Sequence, residues 1–505
     1  MSRTTDLASP GSDVASSKPA SSIEFIALGL TIILCAAVRF YHIGAASLWT
    51  DEILSRYYGQ VFDLHYQFTA GLVTEPSPPT YTLLLRGWMA LFGYSEAAMR
   101  SLSTVACILC IPVVYLLGRE LAGKWQGMLA ALLFALCPSN VYFAQEARVY
   151  ALFTLSASIV LWAVAVLLRD PRSLKAAIGY ILFGTLGLYL HATGLLFIVA
   201  CAIAVGLFWL TQGAAGLRQL LRWTVFNVLV LLLGAPYLVF TFGASRAGGL
   251  DWMPPFSMHA LVTCVSSVVS GLVTPRPWPG TILAAALLLA LATALYLRPL
   301  SRRANVILIG VPVLFVLMVS VVSLRRPILL PRFIAWTVVP LCLLAGSELL
   351  KAGRARFAVL LTFVAAFGTG LYFQVTTPGS EKEPWREAVH AFAPELARAD
   401  LVVVAPLSDP MVLKYYAPQV KNIRLWDASL PRTTMDAFAD QLHIARITEP
   451  EILQAIEAKQ SVWVLSNAFD LVRVDDLRKQ IPATVFREWP CGKTPCAGLA
   501  GWEPR

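Results

Sequence analysis

The chain has 505 residues, of which 57% are hydrophobic and only 14% charged, and its mean hydropathy is +0.66. Such a composition excludes an ordinary water-soluble globular enzyme and points to a protein that crosses a membrane many times. The formal net charge of +10 sits mostly in short loops between apolar runs, the positive-inside pattern of membrane proteins, which argues against nucleic-acid binding.

In chain order, residues 1–22 are rich in Ser, Ala and Pro without apolar periodicity and read as a disordered cytoplasmic tail. Residues 23–41 form the first span, longer than the core of a cleaved signal peptide. Further runs at 102–118, 127–143, 149–168, 176–190, 192–210, 223–242, 281–297, 304–323, 333–349 and 357–373 bring the expected number of transmembrane helices to about 11. With a cytoplasmic N-terminus, the inside loops hold Arg119 and Lys124, then Arg169, Arg172 and Lys175, then Arg218 and Arg222, then Arg298, Arg302 and Arg303, then Lys351, Arg354 and Arg356. The moderately apolar segment 257–273 is assigned to the outer surface, because a crossing there would move the last two clusters outside and reverse the charge rule.

Beyond residue 373 the charge density rises and strand-like and helical segments alternate: strand 401–405, helix 411–416, strand 422–426, helix 449–458, strand 462–465, helix 474–481 and strand 484–489. This predicts a small α/β domain over 374–505, placed outside the cytoplasm by the odd number of crossings. Cys491 and Cys496, with four residues between them, either close a small disulfide loop there or stay reduced, while the other seven cysteines lie in apolar surroundings.

The ten later spans contain no ionisable residue except Glu348, which disfavours an intramembrane ion pathway and places the chemistry in the outer loops. The longest, 42–99, carries Leu48-Trp49-Thr50-Asp51-Glu52-Ile53, followed by an aromatic amphipathic stretch suited to interfacial helices, with Tyr57, Tyr58, Phe62, Tyr66 and Phe68. The adjacent carboxylates either work in that loop or simply open its helix, Asp51 as cap and Glu52 in the first turn. The loop continues Glu75-Pro76-Ser77-Pro78-Pro79-Thr80-Tyr81, then Phe92-Gly93, Glu96 and Arg100. A short second outer turn reads Gln145-Glu146-Ala147-Arg148-Val149-Tyr150, where Glu146 and Arg148 are either functional or solvated loop charges.

Together these segments resemble the polyprenyl-phosphate-sugar-dependent glycosyltransferases of the GT-C class, specifically the protein mannosyltransferase-like superfamily of family 39. Leu48 to Glu52 is similar to the family's "slW-DE" signature, Pro78-Pro79-Thr80-Tyr81 to "PPLY", Phe92-Gly93 with Glu96 and Arg100 to "fG-sE-R", and Gln145 to Tyr150 to "qEaR-Y". Leu190-His191-Ala192-Thr193-Gly194 resembles the "tH-g" turn, Pro331-Arg332-Phe333 with Pro340 the "RY-P" start, and Trp385-Arg386 the "dWR" opening of the outer domain in bacterial members. Departures are Thr80 for the usual Leu, Phe333 for Tyr, and Glu75 where many relatives carry His.

The resemblance implies a GT-C fold and an inverting transfer of a sugar from a polyprenyl-phosphate carrier to a cell-envelope acceptor at the outer face of a bacterial inner membrane. Lipid A or lipopolysaccharide, another glycan and protein are the acceptor classes; a polyprenyl-linked lipid flippase or transporter is the alternative. It makes Asp51 the base, with Glu52 its positioning neighbour. Arg148 and Arg332 become the leading carrier-phosphate ligands, with Arg56, Arg325 and Arg326 behind them, and Glu146, Tyr150 and His191 join the substrate-binding set. The chemistry suits one carboxylate and several arginines, because a sugar phosphate already has its leaving group and needs only charge stabilisation there. The role of a divalent metal stays open, with Glu75, His191 and His259 as scattered candidate ligands.

Overall fold

The computed structural model describes residues 22–69, 71, 79–244, 253–273, 277–351, 353–377, 382–404, 409–426, 432–467, 471–491 and 494–504. Glu75, Pro76 and Pro78, and residues 1–21 of the expected tail, lie outside this set.

Each expected span is helical. In chain order, the first half consists of α1 (Ser22–Phe40), α2 (Thr50–Gln60), α3 (Leu64–Gln67), α4 (Thr80–Phe92), α5 (Glu96–Leu121), α6 (Lys124–Ala135), α7 (Pro138–Ala144), α8 (Tyr150–Arg169), α9 (Leu174–Leu190) and α10 (Gly194–Leu210). Then come α11 (Gly213–Ala244), α12 (Met258–Ser270), α13 (Pro277–Leu297), α14 (Arg302–Ser323), α15 (Val338–Leu349) and α16 (Ala355–Thr376). Among the described residues seven helices are long and apolar enough to cross a bilayer, and α6 with α7 make an eighth span bent by 60°. Three shorter apolar helices, Leu174–Leu190, Gly194–Leu210 and Ala335–Leu349, match the remaining expected crossings.

Helix α12 has 13 residues, a length of about 20 Å against the roughly 30 Å of a hydrocarbon core, so it is too short to cross upright. It packs at the end of the bundle that also holds Pro138, Leu329 and Gly370. The opposite end collects basic loops: Lys124 pairs with Glu24, Arg169 with Glu120, and Lys351 shares a cleft with Gln126, Ser301 and Ser347.

The α6–α7 break has an identifiable cause and an identifiable remedy. Pro138 occupies the first turn of α7 and cannot continue the helical hydrogen bonds of α6. The freed carbonyls of Phe134 and Ala135 accept from the Arg39 guanidinium at 3.2 and 2.7 Å. Arg39 is wholly buried, and an apolar surrounding makes these bonds obligatory.

Small residues set the closest helix crossings. A Cβ on Gly127 would stand 2.4 Å from the Tyr115 carbonyl oxygen, and one on Gly118 would stand 2.5 Å from the Gly127 Cα, so α5 and α6 touch backbone to backbone.

The C-terminal domain is a six-stranded sheet in the order β3-β2-β1-β4-β6-β5, formed by Leu401–Val404 (β1), Ile423–Trp426 (β2), Ala445–Ile447 (β3), Val462–Asn467 (β4), Val485–Cys491 (β5) and Thr494–Trp502 (β6). Strands β1 to β4 are parallel and β5 and β6 antiparallel. The expected α/β alternation holds, with three elements that the sequence pattern missed: the helix Arg432–Leu442, the three-residue β3, and β6. Strands β1 and β4 are buried along their whole length, which is why they read as continuous apolar runs. Their side chains still alternate. Val402, Val404, Trp463 and Leu465 join the core shared with the membrane helices, while Leu401, Val403, Val462 and Val464 face the helices Glu449–Glu457 and Leu471–Gln480. A disulfide joins Cys491 to Cys496 between the edge strand β5 and its antiparallel neighbour β6.

Gly127→Ala is expected to lower the midpoint of thermal unfolding in detergent, because overpacking of a tight contact costs about 1–3 kcal/mol. Gly29→Ala, at a position with nothing within 4 Å of an added Cβ, is the matched control and should leave the midpoint unchanged.

Candidate active site

The carboxylates of the first loop part company at the start of α2. Thr50 opens the helix, Asp51 is its second residue and Glu52 its third, with Trp49 as the preceding cap. Asp51 therefore does not cap the helix; Glu52 reaches back to the Trp49 N–H at 3.4 Å, which is the third-position half of a capping box.

Glu52 has no exposed surface, and both its oxygens are engaged. Arg100 donates to it twice, Nε to Oε1 at 2.8 Å and Nη2 to Oε2 at 2.7 Å, and the Ala147 N–H donates to Oε1 at 2.8 Å. Burial by itself would raise the Glu52 pKa, but the charges of Arg100 and Lys382 and these hydrogen bonds outweigh it and hold the carboxyl at about 2. The same guanidinium donates to the carbonyls of Ile43, Ala46 and Ser47 at 2.8–2.9 Å. Glu52 thus organises the loop that presents Asp51, and it is not itself open to a substrate.

Asp51 is the reachable carboxylate, with 23% of its side chain exposed. Its Oδ2 lies 3.1 Å from Arg332 Nη1, across 281 residues of sequence. Arg148 Nη1 donates to the Asp51 backbone carbonyl at 3.2 Å and to Ser55 Oγ, one turn further along α2, at 2.9 Å. Arg332 sits in the 3-10 turn Pro331–Phe333 before α15, its guanidinium 5.7 Å from the Trp49 ring centre and 6.0 Å from that of Tyr150. The structure therefore brings Asp51, Arg148, Arg332 and Tyr150 to one place.

Glu146 is buried behind them. Its Oε1 lies 3.5 Å from Lys382 Nζ, which is also 3.8 Å from Glu52 Oε2, and among the described residues its Oε2 has no hydrogen-bond partner. Burial raises the Glu146 pKa, partly countered by Lys382 and reinforced by Glu52. Lys382 and its neighbour Glu383 were not singled out in the sequence, although they directly precede the Trp385-Arg386 pair. Glu383 accepts from Thr50 N–H at 3.3 Å and Thr50 Oγ1 at 3.1 Å, placing a third acid, after Asp51 and Glu52, at the N-terminus of α2.

The other candidates stand apart from this group or at its edge. His191 ends α9, buried, with Nδ1 accepting from the Thr193 N–H at 3.2 Å; its ring stands 4.7 Å from that of Phe333 and 6.1 Å from that of Tyr150, so it borders the site behind these two rings. Arg325 and Arg326 are exposed beyond α14. Arg56 points away from Asp51 into a cage of tyrosines, which separates it from Arg148 and Arg332. His259 is exposed on α12, Glu75 lies outside the described residues, and among the described residues no group of three His, Cys, Asp or Glu side chains is placed to hold a metal.

Motifs far apart in sequence also meet where the sheet domain docks. Arg386 Nη1 pairs with Glu96 Oε1 at 3.1 Å, and the Tyr416 hydroxyl donates to the same oxygen at 3.0 Å while accepting from the Leu48 N–H at 2.7 Å.

ArnT from Cupriavidus metallidurans is similar to this architecture over 95% of the present chain and 98% of its own, with a TM-score of 0.62 and 15% identity in the apo state, and 0.61 and 13% when bound to undecaprenyl phosphate. The fold is thus of the GT-C class. By sequence, residues 76–240, about a third of the chain, match the family described as dolichyl-phosphate-mannose-protein mannosyltransferase, and this segment carries the first two outer-loop motifs around Arg100 and Arg148. No curated protein matches it by sequence.

Glu52→Gln is expected to cost about 3–5 kcal/mol by leaving Arg100 buried without its counter-charge, and so to reduce folded protein before it reduces turnover. The ionised Glu52 has a depressed pKa, so its stabilisation is complete above the ordinary value of 4.5 and is lost as pH falls towards about 2. Unfolding midpoints measured between pH 7 and pH 3 should fall at the acid end in the wild type, with the Glu52→Gln variant showing a smaller decline.

Proposed function

We propose that the protein transfers a sugar from a polyprenyl-phosphate carrier to a cell-envelope acceptor at the outer face of the inner membrane, with inversion at the anomeric carbon. The observation that carries this reading is the pairing of one reachable carboxylate, Asp51, with Arg332 at 3.1 Å and with Arg148 anchored on the same turn of α2. Asp51 takes the proton from the acceptor hydroxyl or amine as its oxygen or nitrogen bonds to the anomeric carbon. The bond from that carbon to the phosphate oxygen breaks with its electron pair, and Arg148 and Arg332 bind the negative charge that develops. In the resting state Arg332 lies on Asp51; a carrier phosphate competes for that guanidinium and releases the carboxylate as a proton acceptor.

Three features support this reading. The similar ArnT structure binds undecaprenyl phosphate. The site lies at the end of the bundle away from the basic loops, which by the charge rule is the outer side. The Cys491–Cys496 disulfide suits an oxidising compartment around the sheet domain. On this reading residues 1–22 are cytoplasmic, 23–373 form the membrane domain and 374–505 the outer domain.

Asp51→Asn should reduce sugar transfer in membranes by roughly 10²–10⁴-fold, the usual contribution of a general base. Arg148→Ala and Arg332→Ala should weaken use of the carrier. The assay is mass spectrometry of envelope glycolipids, glycans and glycoproteins from cells with and without each variant. Undiminished transfer by Asp51→Asn removes the mechanism, and an unchanged glycan profile with altered carrier distribution assigns a flippase instead.

A further inference from the structure

Arg56 lies five residues beyond Asp51 on α2, roughly 140° around the helix and about 7.5 Å along its axis. Its guanidinium carbon is 4.7 Å from the Tyr415 ring centre, 5.1 Å from Tyr57 and 5.4 Å from Tyr94. Among the described residues no carboxylate lies within ion-pair distance of it, and its Nε is buried without a hydrogen-bond partner. Rings hold a guanidinium by its faces and leave the edge, where its N–H groups point, available to an anion.

Arg56 borders a cavity of about 640 Å³ between α2 and the C-terminal sheet domain, within the size range of small-molecule sites. The far wall is built from the helix Asp409–Tyr416, which contributes Lys414, and from the end of the helix Arg432–Leu442, which contributes Asp440 and then His443. Asp63 and Gln441 tie the two walls together, the Asp63 N–H donating to Gln441 Oε1 at 3.1 Å and Gln441 Nε2 to Asp63 Oδ2 at 2.6 Å. His443 is held in the left-handed region at φ 51° and is exposed at the rim. The lining combines the cationic side chains of Arg56 and Lys414 and the His443 imidazole with the hydrogen-bonding groups of Gln60, Asp63, Asp440 and Gln441, beside the apolar Val61 and Leu442, a set that matches an anion carrying hydroxyls: the cations meet the charge, and the amides and carboxylates accept from or donate to the hydroxyls.

We infer that this cavity is an acceptor subsite for an anionic saccharide, one bearing a phosphate or carboxylate group, with Arg56 holding the anion and Gln60, Asp440 and His443 its hydroxyls. The inference rests on the glycosyltransferase reading and selects among its acceptor classes: a charged envelope glycan or glycolipid head, not an unmodified protein. The axial offset of about 7.5 Å is comparable to a sugar unit or two, so a saccharide seated at Arg56 can present a hydroxyl at Asp51. It also gives the sheet domain a task, since it supplies one wall.

The test is titration of the full-length protein in nanodiscs of zwitterionic lipid with a hexose 6-phosphate, the free hexose and inorganic phosphate. The hexose phosphate should bind at least tenfold more tightly than either fragment, as expected of a charge-assisted contact combined with hydroxyl recognition. Arg56→Gln should weaken it about tenfold or more, and Arg56→Lys by less. No binding, equal affinity for inorganic phosphate, or insensitivity to Arg56→Gln in a variant that unfolds at the wild-type midpoint overturns the inference. Loss of binding in nanodiscs containing phosphatidylglycerol assigns the cavity to a lipid headgroup and overturns it too. Failure of the glycosyltransferase reading shows differently: Asp51→Asn would keep full transfer in cells while hexose phosphate binding persisted.

Discussion

The Arg100 guanidinium uses all five of its N–H groups inside the protein, two on Glu52 and the others on the carbonyls of Ile43, Ala46 and Ser47. An ion pair this deeply buried stabilises only if every donor and acceptor is satisfied, and here each is. The consequence is geometric. The chain leaving α1 is bound to the start of α5, Glu52 is fixed in the first turn of α2, and Ala147 is drawn to the same carboxylate from the second outer turn. Asp51 and Arg148 are each one residue away from groups held by this pair, so their positions follow from it.

The membrane helices supply the platform by close approach. Glycines at the α5–α6 crossing allow backbones to touch, and the broken α6–α7 span turns Glu146 and Arg148 towards Asp51. A break inside an apolar bundle leaves carbonyls without partners, which Arg39 supplies. The charge in α1 is therefore structural, and it explains how a membrane helix tolerates an arginine well away from water.

The sheet domain is attached by polar contacts concentrated on the first loop. Lys382 inserts between Glu52 and Glu146, Glu383 receives Thr50 at the start of α2, and Arg386 meets Glu96. These residues follow α16 directly, so the segment that leaves the membrane also completes the electrostatics around Asp51. Two cationic environments result on one short helix: Arg332 and Arg148 around Asp51, and Arg56 among tyrosines, facing the sheet domain. They are separated by helical rotation, so the two face different sides of α2.

Span positions and the sheet domain were legible in the sequence, because each leaves a local mark: apolar runs of bilayer length and strand-length apolar runs between helices. The conjunction of Asp51 with Arg148 and Arg332 was expected only from the resemblance of the outer-loop motifs to a known family. The three-residue β3 and the strand β6, with its glycines and small residues, leave no such mark and form only because neighbouring strands offer their edges. The division of labour between Asp51 and Glu52 was not legible either. Adjacent residues on a helix point about 100° apart, and which one meets Arg100 inside the protein and which faces outward depends on how α2 is rotated against α5. The same rotation set Arg56 apart from Arg148 and Arg332, among tyrosines, and only the docking of the sheet domain placed Lys382 beside Glu146. Sequence determined which chemical groups are present and roughly at which end of the bundle; tertiary packing decided which of them are buried as struts and which remain open to a substrate, because that choice is made by long-range contacts that no local pattern encodes.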